Sequence, residues 1–252
     1  MTDNVGRAQD LVDSVGSWYH RIEVAPGLVT PGVNDSQLVL RVLNLPTDLS
    51  GLRVLDIGTR DGFFAFECER RGADVVAIDY MPPEETGFLV ARELLGSRVE
   101  FVQENVYELS HERYGGFDLV LFLGVLYHLR DPMLALDSIW DVARGRLIVE
   151  TQVIDEALLT SSGEFKRLED LNPELASMPL MQFYPGAALN SDSTCVWAPN
   201  EACLSAMLEE TGFEVESQLR IGQRGVAFAT WSAADHERGY WRRRDRAVGK
   251  LD

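Results

Sequence analysis

Two apolar runs joined through a glycine turn constrain this chain more than any other feature. Val54-Leu55-Asp56-Ile57-Gly58-Thr59-Arg60-Asp61-Gly62 is followed by Val75-Val76-Ala77-Ile78-Asp79. Continuous apolar runs read as parallel strands buried on both faces. The glycines between them let backbone N–H groups approach a ligand at the start of the intervening helix. Asp79 lies 21 residues past Gly58, close to the spacing at which a carboxylate accepts hydrogen bonds from both hydroxyls of a ribose. The pattern predicts a β-α-β unit that holds a nucleoside.

Departures from the dinucleotide pattern narrow the choice of nucleoside. G-x-G-x-x-G would need glycine at 60 and 63, where Arg60 and Phe63 stand. The missing glycines are those that admit a pyrophosphate and pack the helix tightly on the strand. D-x-G-x-x-D-G suits a turn wrapped around an amino-acid moiety, so S-adenosylmethionine fits and NAD does not. Gly58, Asp61 and Gly62 are expected at the amino-acid end of that cofactor. Asp56 either orients the turn or reaches the ammonium group through water, and Asp79 takes the ribose. Tyr80 and Met81 are placed to cover a face of the adenine, Met81 serving equally as filler of the core. Asn105 either meets the adenine edge or is a plain turn residue.

Composition limits the partners. The formal charge is −17 over 252 residues, with Lys166 and Lys250 the only lysines, a poor electrostatic match to nucleic acid or an anionic membrane. No apolar stretch approaches the roughly 20 residues of a membrane span, and the polar start has no signal-peptide character. Cys68, Cys195 and Cys203 form no C-x-x-C pair, so neither a disulfide framework nor a metal site is expected. These features predict a cytoplasmic protein with a small-molecule partner; they say nothing of its oligomeric state.

Helical spacing is read over 7–18, 35–45, 62–71, 85–95, 132–143 and 200–211, and strands near 52–57, 74–79, 99–103, 117–123, 146–151, 213–219 and 225–230. Asp131-Pro132 should cap the fifth helix through the aspartate side chain. The alternation predicts an α/β fold, a Rossmann-like seven-stranded, mostly parallel sheet with helices on both faces. The organisation expected is an N-terminal helical segment (1–46), a central domain (47–232) and a basic C-terminal tail (233–252). Within the central domain, residues 152–199 break the rhythm and follow the fifth strand. A loop of that length is expected to be a lid or binding loop at the carboxyl edge of the sheet, the alternative being a disordered surface loop, against which its tyrosine and tryptophan argue. Tyr184, Asn190 and Trp197 within it are candidate acceptor contacts.

Further chemistry gathers at strand ends. The fourth strand runs into Leu123-Gly124-Val125-Leu126-Tyr127-His128, where Gly124 permits close backbone approach. His128 is either a general base or a structural histidine. Glu150 closes the fifth strand as a carboxylate suited to taking a proton, or it pairs with an arginine of the lid. His20 and Glu23 either fold over the cofactor or are polar groups on a helix surface. In the tail, Arg238, Arg242-Arg243-Arg244 and Arg246 surround Trp241, a combination suited to a nucleic-acid strand, but Asp235, Glu237 and Asp245 dilute it and favour a solvated terminal helix or frayed end.

Together, Val54–Gly58, Gly124–His128, Asp131-Pro132, Leu147-Ile148-Val149-Glu150-Thr151 and Gln223-Arg224-Gly225-Val226-Ala227 resemble the class I S-adenosylmethionine-dependent methyltransferases related to the tRNA wobble-uridine carboxymethyltransferase. The likeness covers roughly residues 15–230 and implies a seven-stranded sheet with an antiparallel last strand. In those relatives a tyrosine, an arginine and an N-terminal lysine hold the extra carboxylate of carboxy-S-adenosylmethionine. Tyr127 and Arg224 match the first two, but residues 1–60 contain no lysine, which favours plain S-adenosylmethionine over its carboxylated form. The expectation is methyl transfer to a small acceptor, a specialised metabolite or sugar, with Glu150 and His128 the base candidates. Gly124 and Tyr127 are assigned to the cofactor, His20 and Arg224 to the substrate. Carboxymethylation of tRNA is the alternative.

Overall fold

The computed structural model describes residues 2–233; apart from Ala233, the tail anticipated at 233–252 lies outside them. Seven strands form one sheet: β1 (Arg53–Ile57), β2 (Asp74–Asp79), β3 (Glu100–Gln103), β4 (Phe117–Leu123), β5 (Ala143–Gln152), β6 (Phe213–Ile221) and β7 (Arg224–Trp231). Their spatial order is β6-β7-β5-β4-β1-β2-β3. β1, β2 and β3 run parallel, because each passes through a helix before the next strand. β7 runs antiparallel to both β5 and β6. Only Gly222 and Gln223 separate Ile221 from its cross-strand partner Arg224, and Gly222 has φ +58°, so the chain must reverse in a two-residue hairpin. The chain forms two compact units, Met1–Leu109 with Phe117–Leu121 and Ser110–Gly116 with Phe122–Asp252.

In the first unit, α1 (Thr2–Ser14), α2 (Ser36–Leu43), α3 (Phe63–Arg70) and α4 (Phe88–Leu95) accompany β1 to β3. α1 stops four residues before the boundary expected at Trp18. Gly16 is a poor helix former, and the Trp18 indole turns back so that Nε1 donates to the Val12 carbonyl at 3.0 Å. The buried ring then lies where a side chain on residue 87 would be, since a Cβ on Gly87 would stand 2.1 Å from it. Asp61 holds this segment in place. Its Oδ2 accepts from the amides of Tyr19 (2.6 Å) and His20 (2.8 Å), and its Oδ1 from the amide of Gly87 (2.9 Å). With Gly87 fixed, α4 begins at Phe88 rather than 85, after a short 3-10 turn over Pro83–Glu85.

The second unit contains α5 (Pro132–Val142) and α6 (Glu201–Thr211). Pro132 opens α5, but Asp131 makes no side-chain capping bond; its carbonyl accepts the Ala135 amide instead. The buried Asn200 does cap α6. Its Oδ1 accepts from Cys203 N (2.9 Å) and Leu180 N (3.0 Å) while its amide donates to the Met178 carbonyl (2.7 Å). That one side chain ties α6 to the long segment 152–199, which is structured. Leu158–Leu159 pairs with Phe165–Lys166, Met181–Phe183 pairs with Trp197–Pro199, and two short helices span Leu168–Leu171 and Pro173–Ser177. Ile154, Leu168, Tyr184, Leu189, Cys195 and Ala198 bury around Tyr127 as a core of their own. No helix among the described residues is long and apolar enough to cross a membrane.

Asp61→Asn should lower stability by about 2–3 kcal/mol, because the new amide group turns its own N–H toward backbone donors that had a carboxylate. Urea unfolding followed by circular dichroism measures this, and an unchanged midpoint would contradict it.

Candidate functional site

In the first unit, the site candidates cluster where β1 and β2 end. Gly58 (φ +74°) and Thr59 both donate their amides to the Ile78 carbonyl, at 2.8 and 3.1 Å. This pins the turn to the end of β2. Arg60 adopts φ +52°, a conformation unfavourable for a side-chain-bearing residue, and its amide donates to Asp79 Oδ2 at 2.9 Å. The Met81 amide donates to Asp79 Oδ1 at 3.0 Å. Each Asp79 oxygen therefore holds one amide and keeps lone-pair capacity for another donor. Tyr80 follows, 72% exposed, and the Arg60 guanidinium lies against the Met81 sulfur.

The other residues of this group are drawn inward. Asp56 is buried, and its carboxylate accepts from the Thr59 hydroxyl at 2.7 Å and from the Ala65 backbone, which is the turn-orienting arrangement of the two considered. Burial pushes its pKa up to about 7, the Thr59 bond opposing and the charge of Asp79 adding to the rise. Gly62 has φ +93°, and a Cβ there would lie 2.4 Å from the Phe66 ring, so packing alone demands glycine. Asp61 is wholly buried and its oxygens are engaged by three amides, which gives it a clamping role rather than exposure to a ligand. Asn105 is exposed and its side chain caps the 3-10 turn Val106–Glu108 by accepting from Tyr107 N, as a turn residue would.

His20, expected to reach the substrate, is buried instead. Nδ1 lies 2.5 Å from Ser36 Oγ, and the ring stacks on Phe63 with centroids 5.9 Å apart. Desolvation lowers its pKa to about 4, outweighing the charge of Asp61. Glu23 accepts from the Gly27 amide in the adjoining turn.

In the second unit the candidates gather around an ion pair. The antiparallel register sets Arg224 opposite Gln152 and Val226 opposite Glu150. Arg224 then reaches back along the sheet, donating through Nε to Glu150 Oε1 and through Nη2 to Glu150 Oε2 at 2.6 Å. This is the pairing alternative considered for Glu150, with the arginine supplied by β7 and not by the lid. Burial works against the guanidinium charge, but the bonds and charge of Glu150, with Tyr127 beyond, more than offset it. The guanidinium lies 4.7 Å from the centre of the Tyr127 ring. Gly124 (φ +75°) donates its amide to the Glu150 carbonyl at 2.9 Å.

His128 ends the 3-10 turn Leu126–His128 half-buried, with Nδ1 2.9 Å from the Thr194 hydroxyl. That hydroxyl in turn donates to Asp192 Oδ1 at 2.6 Å. Thr194, Asp192 and Cys195 are the neighbours that sequence reasoning missed; 66 residues separate Thr194 from His128, and no spacing rule links them. Tyr184 is buried at 2% exposure, and among the described residues its hydroxyl has no hydrogen-bond partner. Trp197 packs its ring 4.9 Å from Phe183 and donates Nε1 to the Arg130 carbonyl. Asn190 sits exposed in the loop at φ +55°.

Residues 35–218 match a family described as a methyltransferase domain. A tRNA U34 carboxymethyltransferase from Dichelobacter nodosus is 30% identical over 199 residues, 77% of this chain and 58% of the relative. A ubiquinone biosynthesis O-methyltransferase from Acinetobacter baumannii is 38% identical over 85 residues, 33% of this chain and 36% of the relative. The chain thus spans less than two thirds of the curated relatives it matches. Among solved structures, the N-terminal domain of EvdMO1 in the presence of SAH and D-fucose aligns with TM-score 0.58 at 20% identity, covering 92% of this chain and 96% of that one. The likeness establishes a shared fold.

Two buried groups should give stability opposed pH dependences. Asp56 has a folded pKa raised to about 7, so its contribution is fully present below its unfolded value near 4 and is lost as pH rises through 7. His20 has its pKa lowered to about 4, so its contribution is present above about 6.5 and is lost as pH falls toward 4. Asp56→Asn should therefore gain stability relative to the parent chain from about pH 4 to pH 7 and run parallel to it above. Urea midpoints across that range measure the difference; a constant offset would contradict the assignment.

Proposed function

The chain belongs to the methyltransferase-domain family, as an S-adenosylmethionine-dependent enzyme, and from that premise we propose that it methylates a small, hydroxyl-bearing molecule. The observation that carries the donor side of this reading is Asp79. Its two oxygens sit at the end of β2, each with one amide already bound and lone-pair capacity left for a ribose hydroxyl. Gly58 supplies the adjoining turn, and Tyr80 and Met81 the surface for the adenine. In this reading Asp56 and Asp61 shape the turn and the N-terminal segment without touching the cofactor, and His20 does the same through Ser36. The bound cofactor supplies an electrophilic methyl group on a sulfonium centre. The protein's part is to hold the reactants in register and manage the acceptor's proton.

On the acceptor side, Glu150 has both oxygens committed to Arg224. It therefore serves as the partner that positions Arg224 and Tyr127, and His128 takes the proton. The unpartnered Tyr184 hydroxyl supports a polar acceptor, since a buried hydroxyl without a bond costs about 1–3 kcal/mol that a ligand group would recover. Tyr127 and Trp197 supply neighbouring aromatic surface.

Carboxymethyl transfer to tRNA is the second reading, and the stacking of Arg224 on Tyr127 favours it, because the resemblance assigns those two positions to the extra carboxylate. Two observations weigh against it. Arg224 already spends its charge on Glu150, whose own negative charge would repel a second carboxylate, and the net charge of −17 opposes a polyanionic substrate.

Isothermal calorimetry with S-adenosylmethionine and S-adenosylhomocysteine tests the reading directly. Both should bind, and Asp79→Ala should weaken each at least about tenfold through loss of charge-assisted bonds to the ribose. Absence of heat with the parent chain would defeat the proposal. Mass spectrometry of the co-purifying ligand separates the plain donor from the carboxylated one.

A further inference from the structure

The geometry points to a hydrogen-bonded relay, Asp192–Thr194–His128, that fixes which ring nitrogen of His128 carries the proton and leaves Nε2 bare to accept one from an acceptor hydroxyl. The catalytic use of this relay rests on the methyl-transfer reading above; the relay itself is a property of the chain alone.

A threonine hydroxyl has a single proton to give. Thr194 Oγ1 lies 2.6 Å from Asp192 Oδ1 and 2.9 Å from His128 Nδ1. The carboxylate, when ionised, can only accept. It is held below the usual carboxylate range by the Thr194 hydroxyl, the Thr194 amide at 2.8 Å and, among smaller causes, the Cys195 thiol. The hydroxyl proton therefore goes to Asp192, and the oxygen has only lone pairs to offer the imidazole. Nδ1 must then be the protonated nitrogen, and Nε2 carries the free pair.

Desolvation keeps the ring toward its neutral form, although a hydrogen bond to the Thr194 backbone and the Asp192 charge pull the other way. The titratable and charged groups around His128 are Tyr127, with ring centroids 4.1 Å apart, Arg224 from β7, and Asp192 and Cys195 from the loop. Arg224 disfavours the imidazolium and Asp192 favours it, which suits a group that must gain a proton and release it again. Thr194 and Asp192 are positioning residues in this scheme.

The arrangement also narrows the acceptor. A neutral amine can attack a sulfonium methyl without prior deprotonation, whereas an alcohol or phenol gains from a base as its oxygen becomes bonded to carbon. As the new C–O bond forms, the O–H proton passes to Nε2. The C–S bond breaks with its electron pair left on sulfur, and the imidazolium later returns the proton to water. The reaction assigned is O-methylation.

Nitrogen-15 NMR of the full chain labelled at histidine reads the tautomer without cofactor or acceptor. The His128 signals are identified by their loss in His128→Gln. In the parent protein at neutral pH, Nε2 should show the shift of an unprotonated nitrogen and Nδ1 that of N–H. Thr194→Val should move the tautomer ratio toward Nε2–H by about tenfold, the effect of losing one hydrogen bond, while Thr194→Ser should retain the parent ratio. A parent His128 in the Nε2–H form, or a ratio unmoved in Thr194→Val, would overturn the relay. His128, Asp192 and Cys195 also offer donor atoms within 4.8 Å of one another, so cobalt(II) is added as an optical probe. A thiolate-to-cobalt band lost in both Cys195→Ser and His128→Gln would reassign these side chains to a metal centre and overturn the relay, whereas no such band supports it. Failure of the methyl-transfer reading would appear separately, as absence of calorimetric response to S-adenosylmethionine with the tautomer unaltered.

Discussion

One buried carboxylate organises the first unit. Asp61 has no solvent exposure, and its oxygens gather three amides from two places in the chain, the adjacent Tyr19 and His20 and the distant Gly87. A charge taken out of water survives only when hydrogen bonds replace the lost hydration; here the replacements are backbone N–H groups. The consequence reaches outward. Because Asp61 holds Tyr19 and His20, Trp18 is delivered onto Gly87, α4 starts one turn later than its apolar spacing suggests, and His20 is packed against Phe63. The turn between β1 and α3 is thus braced from behind, and Asp79 is met by Arg60 and Met81 in a defined position.

In the second unit the organising contact is the bidentate pair between Glu150 and Arg224. A fork-to-fork arrangement of this kind fixes orientation as well as charge. It depends on a backbone fact, the antiparallel hairpin between β6 and β7, which returns the chain beside β5 so that Arg224 can reach Glu150. The pair removes Glu150 from contention as a free base and lays the guanidinium over Tyr127. His128, one residue further on, is left to a different set of partners, Thr194 and Asp192. Neighbouring residues in one short turn are therefore assigned to separate polar systems.

The elements of the sheet were largely legible because each rests on a local pattern. Val54-Leu55 and Val75–Ile78 are continuous apolar runs, and β1 and β2 begin and end within two residues of where those runs do. α3, α5 and α6 follow helical spacing bounded by glycine, proline or a capping residue. Misreadings fall where a distant group overrides the local pattern. Trp18 continues the apolar spacing of α1, but the indole bonds back to Val12 and Gly16 releases the backbone. Asp131 has the composition of a side-chain cap, yet the first turn of α5 is closed by its carbonyl. The segment 152–199 carried no periodic signal, since its strands are two or three residues long and its core forms around Tyr127, far away in sequence.

The sequence by itself determined the β-α-β unit with its glycine turn and the seven strands of the main sheet, because these follow from apolar periodicity and glycine conformation within some twenty residues. Only the tertiary structure decided which polar groups are committed to one another. Whether Asp61 faces a ligand or three amides, whether Glu150 is a base or an anchor for Arg224, and which nitrogen of His128 bears its proton all depend on partners that lie tens of residues away. Hydrogen bonds and charge pairs are short-ranged in space and indifferent to distance along the chain, so the fold had to bring those partners together before their roles could be read.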